Sequence, residues 1–309
     1  MKEMESVRNA AKRETRELDR SLVPAFDPVR VALLDRFDES MREKKAVGDF
    51  EALVIGFDLG TTNLMLTALN ERGEPVAAIM EPSESSVRDG VVFDYMALLH
   101  GVKKALERLQ AVLGGRDLTN ALGAAAFPPG IDLKTAKVCA NVVESAGFDC
   151  KGLYEEPTAA ACALSLQSAA IVDIGGGTTG ITVISGGKPV YTADEPTGGT
   201  HMTLVLAGNR DISFESAEKM KRDPTMQREL FPVFKPVLEK MGTIVRRHLE
   251  CEDWWGRIPV VLCGGGAYIF NAEETLSSVI GLPVTMAPHP LLVTPAGIAR
   301  KAWSEIYGG

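Results

Sequence analysis

The chain has 309 residues, 45% of them hydrophobic, and a formal net charge of −8. This length suits one or two domains with buried cores, and the negative charge argues against nonspecific nucleic-acid binding, which needs a basic surface. No apolar run approaches the roughly 20 residues of a membrane helix, and the N-terminus lacks the apolar core of a secretory signal. Five cysteines and four scattered histidines show no metal-type spacing. We therefore expect free thiols in a reducing compartment, which indicates a cytoplasmic protein without a membrane span.

Residues 1–49 are rich in charges of both signs and precede the first predicted sheet. Asp27-Pro28 is typical of a helix start, with aspartate as the N-cap and proline at the first helical position. Apolar residues then recur at intervals of four on one helix face, at Val29, Leu33, Phe37 and Met41. The sequence predicts either a helix packed on the body of the protein or a docking helix that supports self-association or binding to another molecule.

Two similar loops follow along the chain, DLGTTN at 58–63 and DIGGGTTG at 173–180. Each lies between two apolar runs, which predicts the turn of a β-hairpin. Glycines let backbone N–H groups approach an anion closely, and the threonines add hydroxyl donors. The aspartate at the start of each loop would repel phosphate unless a divalent cation lies between them. Glycine and threonine are also common in simple hairpins, but the pair predicts a clamp that holds a metal–polyphosphate complex from both sides.

The same unit of strands and helices is predicted twice. In the first half, strands are expected near Leu53–Asp58, Leu64–Leu69, Pro75–Met80, Ala121–Phe127 and Gly152–Tyr154, and helices near Asp94–Val112 and Leu133–Ala146. The second half has a linking helix at Pro157–Leu166, repeats the scheme from Ala169, and continues with a mostly helical segment from Ser213 to His248 that is broken by Pro224, Pro232 and Pro236. A repeated βββαβα unit predicts an α/β fold with two lobes around a cleft, lobe I at 50–156 and lobe II at 157–309.

These motifs resemble those of the actin, DnaK-type chaperone and sugar-kinase ATPase superfamily. Beside the two phosphate loops, EPTAA at 156–160 resembles the motif that connects the lobes, IPVVLCGGGA at 258–267 the adenosine motif, and TPAGIA at 294–299 the second connecting helix. All five motifs occur in the superfamily's order between Leu53 and Trp303. The resemblance implies an actin-like ATPase fold with ATP in the cleft, here with reduced peripheral subdomains.

A closer resemblance is to the EutJ family of chaperone-like proteins encoded with bacterial ethanolamine-utilisation genes. The segments that carry it are VRDGVVFD at 87–94, FPPG at 127–130, VESAG at 143–147, TADEPTGG at 192–199, LAGNR at 206–210 and AEKMKR at 217–222. This resemblance implies a role in ethanolamine utilisation, with a client among its enzymes or the shell proteins of a bacterial microcompartment. The predicted docking helix would then resemble the tags on microcompartment cargo.

The loop aspartates are the predicted metal-binding residues. Asp58 and Asp173 should anchor the water shell of Mg²⁺, because this ion keeps several waters and binds through few carboxylates. By resemblance, Glu156 orients the attacking water and acts with Asp173 in catalysis. An alternative for Glu156 is a carboxylate that only stabilises a helix N-terminus.

Nucleotide binding is assigned to the two loops, to one charged helix face and to the glycine turn of the adenosine motif. Glu218, Lys221 and Arg222 share a helix face, and the resemblance places Glu218 on the ribose and both cations along the base. A solvated charged face is the alternative. The predicted nucleotide-binding residues are Gly60, Thr61, Thr62, Asn63, Gly175, Gly176, Gly177, Thr178, Thr179, Glu218, Lys221, Arg222, Gly264, Gly265 and Gly266.

The chain also departs from the superfamily pattern. Only residues 81–93 separate the third strand from the first helix of lobe I, where actin and DnaK carry a whole subdomain. The lysine that DnaK-type proteins place near the γ-phosphate belongs to that missing part, and Arg88 is the nearest replacement. Losing a positive charge near the transition state costs several kcal/mol. We therefore expect ATP binding with slow or negligible hydrolysis, and no DnaK-like cycle on unfolded peptides.

Three functions from different classes remain open at this stage. The first is a nucleotide-dependent accessory protein that assists assembly or reactivation of a microcompartment-associated enzyme. The second is a scaffold or filament protein of the MreB, FtsA or PilM type, which ATP-dependent polymer formation would reveal. The third is a small-molecule kinase, which needs a general-base aspartate and room for a substrate that the short lobe I offers only sparingly.

Overall fold

The computed structural model describes residues 20–83, 87–88, 91–92 and 94–308, without the side chains of 20, 87, 88, 91 and 92. Its helices are α1 (Pro28–Glu43), α2 (Tyr95–Val112), α3 (Leu133–Ser145), α4 (Glu156–Leu164), α5 (Gly199–Arg210), α6 (Phe214–Arg222), α7 (Gln227–Cys251), α8 (Ala272–Ile280) and α9 (Val293–Tyr307), with short 3-10 helices at Arg20–Leu22, Gly265–Tyr268 and Pro290–Leu292. Its strands are β1 (Leu53–Leu59), β2 (Asn63–Asn70), β3 (Pro75–Pro82), β4 (Val87–Arg88), β5 (Val91–Val92), β6 (Leu122–Phe127), β7 (Asp149–Glu155), β8 (Ser168–Ile174), β9 (Thr179–Ser185), β10 (Lys188–Glu195), β11 (Val260–Cys263) and β12 (Val284–Met286).

Two five-stranded sheets with the same strand order form the framework. The first has the order β3-β2-β1-β6-β7 and the second β10-β9-β8-β11-β12, while β4 and β5 pair separately. In each sheet the first three strands of the chain are antiparallel and the other two join in parallel. The structure thus confirms the α/β class and the repeated unit, and the two sheets fall on either side of the boundary at residues 156–157.

Strand register places matching rows of side chains on the two faces that look toward each other. In the first sheet the row is Asp58, Met65 and Met80. In the second sheet the matching row is Asp173, Gly180 and Asp194. Partners in register share a face of the sheet, and each loop aspartate therefore stands at the head of a row that crosses three strands.

Two helices, α4 and α9, pack against each other between the sheets. Val54 of β1 shares one buried cluster with Ala159 of α4 and Ile298 of α9. A second cluster joins α4, through Ala160, to Ile171 of β8. The connecting helices therefore hold both halves in one buried interior.

Gly297 of α9 allows the close approach of these two helices. A β-carbon at this position would overlap the backbone carbonyl of Ala159. We expect Gly297→Ala to lower the free energy of unfolding by about 2 kcal/mol, because the backbone of α4 must shift. Urea denaturation measures the loss. Gly208→Ala is the matched control, since a β-carbon there meets no atom within 4 Å, and it should stabilise the chain by up to about 1 kcal/mol. Equal stability of the two variants would contradict the close packing.

The helix predicted after Asp27 is α1, and it packs on the body of the protein. The Asp27 carboxylate accepts a hydrogen bond from the Val29 amide, as an N-cap does. Leu33, Leu34 and Phe37 are buried against strands and connecting helices of both halves. Val29, in contrast, is 70% exposed. The apolar face of α1 is thus occupied within the chain and is not available as a docking surface. The rest of the predicted extension, residues 1–19, lies outside the described part.

The predicted helix breaks in the Ser213–His248 segment were only partly right. Pro224 separates α6 from α7 as expected, but α7 runs without interruption through Pro232 and Pro236. Both prolines are exposed, so the carbonyl groups that lose an N–H partner face water, and the buried opposite face sustains the helix. Neither α7 nor another helix in the described ranges has the length and apolar character needed to cross a membrane.

Candidate functional site

A cavity of about 660 Å³ lies between the two sheets, where β1 and β8 end. Both glycine–threonine loops open onto it, together with the first turn of α4, one face of α6 and the 3-10 turn after β11. It brings together all of the predicted site residues except Thr179. Those that line it are Asp58, Gly60, Thr61, Thr62, Asn63, Glu156, Asp173, Gly175, Gly176, Gly177, Thr178, Glu218, Lys221, Arg222, Gly264, Gly265 and Gly266.

Thr179 is a correction to the predicted set. It begins β9 and points to the opposite face from Gly180, so its side chain is only 1% exposed and does not line the cavity. Its hydroxyl donates to the carbonyl of Thr197 at 2.5 Å. Strand alternation thus gives Thr179 a structural contact in place of a phosphate contact.

The two loops meet across the cavity. A β-carbon on Gly176 would overlap the hydroxyl of Thr62, and glycine is therefore required for this approach. The second loop rests on the start of α5, because the amides of Gly199 and Thr200 donate to the carbonyls of Gly175 and Gly176 at 2.9 and 2.8 Å. The loops thus face each other as the predicted clamp requires.

Acidic side chains gather behind the loops. Burial, followed by the charge of Asp173, raises the pKa of Asp58 to about 7. Burial raises the pKa of Glu156 well above its usual value, and the charges of Asp58, Asp173 and Asp194 act in the same direction. Burial also raises the pKa of Asp173, but hydrogen bonds from Thr294, at 3.0 Å, and Cys263 oppose the shift. The cavity therefore favours the protonated, neutral forms of these carboxyl groups, and a bound cation would favour their charged forms.

Asp194 is a member of this group that sequence reasoning missed. It stands opposite Gly180 of β9, which in turn stands opposite Asp173 of β8. Counting strictly from the Gly186-Gly187 turn would place Ala193 at this position and turn Asp194 to the other face. A register shift between Pro189 and Tyr191 moves Asp194 into the cavity. The local sequence does not predict this register shift.

The residues present fit a hydrated magnesium ion. Among the described residues, no three histidine, cysteine, aspartate or glutamate side chains converge as direct metal ligands. Two carboxylates, Asp58 and Asp173, stand at the heads of facing rows, and neither has its pKa lowered by a lysine or arginine. Mg²⁺ suits such a site, because it retains waters and takes most remaining ligands from phosphate. Asn63 beside them has a buried side-chain oxygen without a partner in the described part.

The position of Glu156 is compatible with both roles considered for it. It is the first residue of α4, where a carboxylate interacts favourably with the helix dipole. It also lines the cavity among the three aspartates. Its position at the helix terminus therefore does not remove it from the site.

The charged trio on α6 is a linked network and not a solvated face. The Lys221 ammonium, with only 11% of its side chain exposed, contacts Glu218 at 2.6 Å, the Thr203 hydroxyl at 2.8 Å and the Gly199 carbonyl at 3.0 Å. Arg222 pairs with the other oxygen of Glu218 at 2.7 Å and remains half-exposed. Burial acts to raise the pKa of Glu218, but the Lys221 charge and three hydrogen bonds lower it overall. Lys221 therefore links α5 to α6, and the Arg222 guanidinium is the more exposed of the two cations.

The opposite wall comes from the glycine turn after β11. Gly264 has φ +82, and a β-carbon there would overlap the Asp173 carboxylate. Its amide donates to the Pro290 carbonyl at 2.9 Å. Gln227, which sequence reasoning also missed, joins the two walls: it accepts from the Phe270 amide at 2.8 Å and donates to the Lys221 carbonyl.

Arg88, the predicted replacement for the missing lysine, falls in β4. Its side chain lies outside the described part of the chain. Its role near a phosphate therefore stays a prediction.

Comparison with known proteins places this site in a family. The family model described as type IV pilus assembly protein PilM matches residues 133–292. Ethanolamine utilization protein EutJ of Salmonella typhimurium is 40% identical over 260 residues, 83% of this chain and 88% of that protein. EutJ from Carboxydothermus hydrogenoformans has a crystal structure that superposes with a TM-score of 0.81 at 39% identity, covering 88% of this chain and 98% of the other.

More distant structures share the fold alone. MreB5 of Spiroplasma citri, solved with bound AMPPNP, superposes with a TM-score of 0.68 at 20% identity, covering 84% of this chain and 98% of that one. The chain therefore belongs to the EutJ family of ethanolamine utilisation proteins, with the actin-like ATPase fold.

Proposed function

We propose that this protein binds Mg-ATP in the cavity between its two sheets and acts as a nucleotide-dependent accessory protein of ethanolamine utilisation. The observation that carries the proposal is the meeting of the two loops, where Thr62 stands against Gly176. Loop amides and threonine hydroxyls would hold the β- and γ-phosphates, while Asp58 and Asp173 would hold the water shell of Mg²⁺. The metal would neutralise the charge between these carboxylates and the phosphates.

The base and ribose would lie between the charged face of α6 and the glycine turn. Glu218 lines the cavity, and one of its carboxylate oxygens pairs with Arg222. Because a carboxylate oxygen can accept more than one hydrogen bond, a ribose hydroxyl is a suitable donor to it. The Arg222 guanidinium is the accessible cation for stacking on the base. That MreB5, which has the same fold, was solved with AMPPNP supports nucleotide binding by this chain.

Hydrolysis should be slow. In the described part of the chain, no lysine or arginine lowers the pKa of Asp58 or Glu156, and this supports slow hydrolysis. We expect single-turnover cleavage of Mg-ATP at about 10⁻² s⁻¹ or slower, measured as ADP formed by chromatography. An Asp173→Ala preparation is the control for contaminating ATPases. Turnover at about 1 s⁻¹ or faster, lost in that variant, would contradict the prediction.

The accessory role rests on family membership. Its relatives carry the name ethanolamine utilization protein, and we propose a client among the enzymes or shell proteins of this pathway, in the cytoplasm and associated with a microcompartment. The test is capture of those native proteins by the immobilised full chain in Mg-ATP and in Mg-ADP. Nucleotide-dependent capture of one of them is the expected result. Equal capture in both nucleotides, or no capture of these proteins, would contradict the accessory role. Neither result would bear on nucleotide binding.

A scaffold role is the second candidate, because the PilM family model covers residues 133–292 and MreB5 shares the fold. Under this alternative, Mg-ATP would drive the purified chain into polymers. Light scattering that rises with ATP and falls with ADP would favour it. A constant signal over micromolar protein concentrations would favour the accessory role.

A further inference from the structure

Basic side chains from two helices converge around Cys162 of α4. They are Arg30, in the first turn of α1, and Arg300 and Lys301 of α9, and all three act electrostatically on the Cys162 thiol. None of these four described residues lines the cavity between the sheets. We call Arg30, Arg300 and Lys301 the basic cluster. It lies apart from the proposed nucleotide site, on a chain whose formal net charge is −8.

Lys301 is the compensated member of the basic cluster. Its ammonium group contacts the Glu305 carboxylate at 2.8 Å and lies 5.1 Å from the centre of the Tyr154 ring. Glu305 also accepts a hydrogen bond from the Tyr154 hydroxyl at 2.7 Å. The charge of Lys301 is therefore balanced within α9, and Arg30 and Arg300 are the two cations that need an explanation.

Neither arginine has an anionic partner in the described part of the chain. The Arg300 guanidinium stacks on the Trp303 ring at 4.4 Å, and it forms no ion pair or hydrogen bond with another described residue. Asp27, three residues before Arg30, caps α1 by accepting from the Val29 amide at 2.9 Å, and the first turn of α1 contains no acidic residue. Two guanidinium groups therefore share one region without a counter-charge.

The Nε atom of Arg30 is buried and has no hydrogen-bond partner. A buried N–H group without an acceptor is costly, and such groups are rare in folded proteins. The terminal nitrogens of Arg30 and Arg300 also lack partners among the described residues, but they are open to solvent. Both guanidinium groups can therefore donate to a ligand that approaches from the surface.

Arg30 and Arg300 are close enough to repel each other. Burial, followed by the charge of Arg30, lowers the pKa of Arg300. Burial raises the pKa of the Cys162 thiol in spite of the neighbouring cations, so the thiol stays neutral at neutral pH and supplies no negative charge. The helix dipole adds to the repulsion, because it disfavours a cation in the first turn of α1. An anion bound between the two arginines would remove this repulsion.

The two uncompensated charges select a divalent oxyanion. A monocarboxylate matches the fork of one guanidinium group and would leave the second charge unbalanced. A tetrahedral dianion such as phosphate presents oxygens in several directions, and it can accept charge-assisted hydrogen bonds from two forks that come from different helices.

We propose that Arg30 and Arg300 bind a small divalent oxyanion of the phosphate type, which accepts hydrogen bonds from both guanidinium groups. The ion bridges α1 to α9 and thereby holds the N-terminal helix on the connecting helices. Binding requires neither nucleotide nor Mg²⁺ and does not rest on the proposed nucleotide function.

Equilibrium dialysis of the full chain against radiolabelled inorganic phosphate tests this site, with EDTA present and at about pH 8, where phosphate is mostly divalent. We expect saturable binding at roughly millimolar phosphate, displaced by sulfate but not by acetate or chloride at equal ionic strength. Arg30→Met and Arg300→Gln should each weaken binding about tenfold or more. Arg257→Gln is the matched control, since this exposed arginine pairs with Asp253 at 2.7 Å, and it should bind like the native chain.

Thermal unfolding distinguishes a binding site from a general effect of charge. Phosphate should raise the unfolding temperature of the native chain, because a ligand of the folded state stabilises it. In phosphate-free buffer, Arg30→Met should unfold at a higher temperature than the native chain, because it removes a like charge and a buried N–H group without a partner. The same variant should no longer respond to phosphate.

No saturable binding by the native chain, equal displacement by acetate, or undiminished binding by either cluster variant would overturn the proposal. Should Arg300→Gln fail to fold, as circular dichroism would show, Arg30→Met decides alone. Gly176→Ala should retain phosphate binding, and loss of binding in that variant would instead place the ion at the nucleotide loops. Arg30→Met should leave Mg-ATP binding unchanged, so the two proposals can fail separately.

Discussion

An Asp58→Asn variant is expected to be more stable than the native chain at about pH 8 without nucleotide, and to lose Mg-nucleotide binding. The pKa of Asp58 is raised from 3.8 to about 7, so the folded chain binds more protons than the unfolded chain between these values. The contribution of Asp58 to native stability is therefore fully present below this window and is lost as the pH rises through about 7. Asparagine removes the buried charge and with it this dependence.

The size of the effect follows from the shift. A full three-unit shift corresponds to about 4 kcal/mol, but the cavity admits water to the Asp58 side chain, and we therefore expect a gain on the order of 1 to 2 kcal/mol. Urea denaturation on either side of neutral pH measures it, and Asp149→Asn, an exposed carboxylate, is the control. A variant less stable than the native chain above neutral pH would contradict the origin assigned to the shift.

A Gly176→Ala variant is expected to weaken Mg-ATP binding about 100-fold while the chain stays folded. The added β-carbon would overlap the Thr62 hydroxyl and come within 2.9 Å of the Thr62 β-carbon. The loops must then move apart, and several charge-assisted contacts to phosphate are lost together.

Double-mutant analysis shows whether loop contact is the cause. Thr62→Gly alone should weaken binding moderately, and in that background Gly176→Ala should cost less than about fivefold. Gly208→Ala, where a β-carbon meets open space, should bind like the native chain. An undiminished cost of Gly176→Ala in the Thr62→Gly background would mean that the loops do not act through their mutual approach.

The fold was predictable because its signals are local. Hairpins on either side of Asp58 and Asp173 have apolar runs, glycine turns and a following helix within short segments, and repetition of the unit predicted two related sheets. The same loops predicted most of the residues that line the cavity. The structure confirmed the fold, and the predicted strand limits differ from those observed by a few residues at most.

What remained hidden depends on contacts between distant segments. Asp194 enters the cavity through a bulge near Pro189, and Thr179 leaves it by strand alternation. Pro236 stays inside α7 because packing of the opposite face outweighs a lost hydrogen bond. The buried partners of Lys221 come from α5, which no local pattern on α6 reveals.

The N-terminal helix illustrates the same limit. Its spacing predicted an amphipathic helix but not its partner. Leu33 and Phe37 proved to be covered by the body of the protein, whereas Val29 on the same predicted face is exposed. Tertiary packing decided between the two interpretations.

Calorimetric titration of the native chain and of Asp173→Ala with Mg-ATP and Mg-ADP tests the nucleotide clamp most directly. Asp173 accepts a hydrogen bond from Thr294 at 3.0 Å and lines the cavity together with both loops. We expect the Asp173→Ala chain to stay folded and to lose metal–nucleotide binding. We predict saturable heat with the native chain and none with the variant. No heat and no thermal stabilisation of the native chain at millimolar nucleotide, where a bound ligand should add a few kcal/mol, would contradict nucleotide binding.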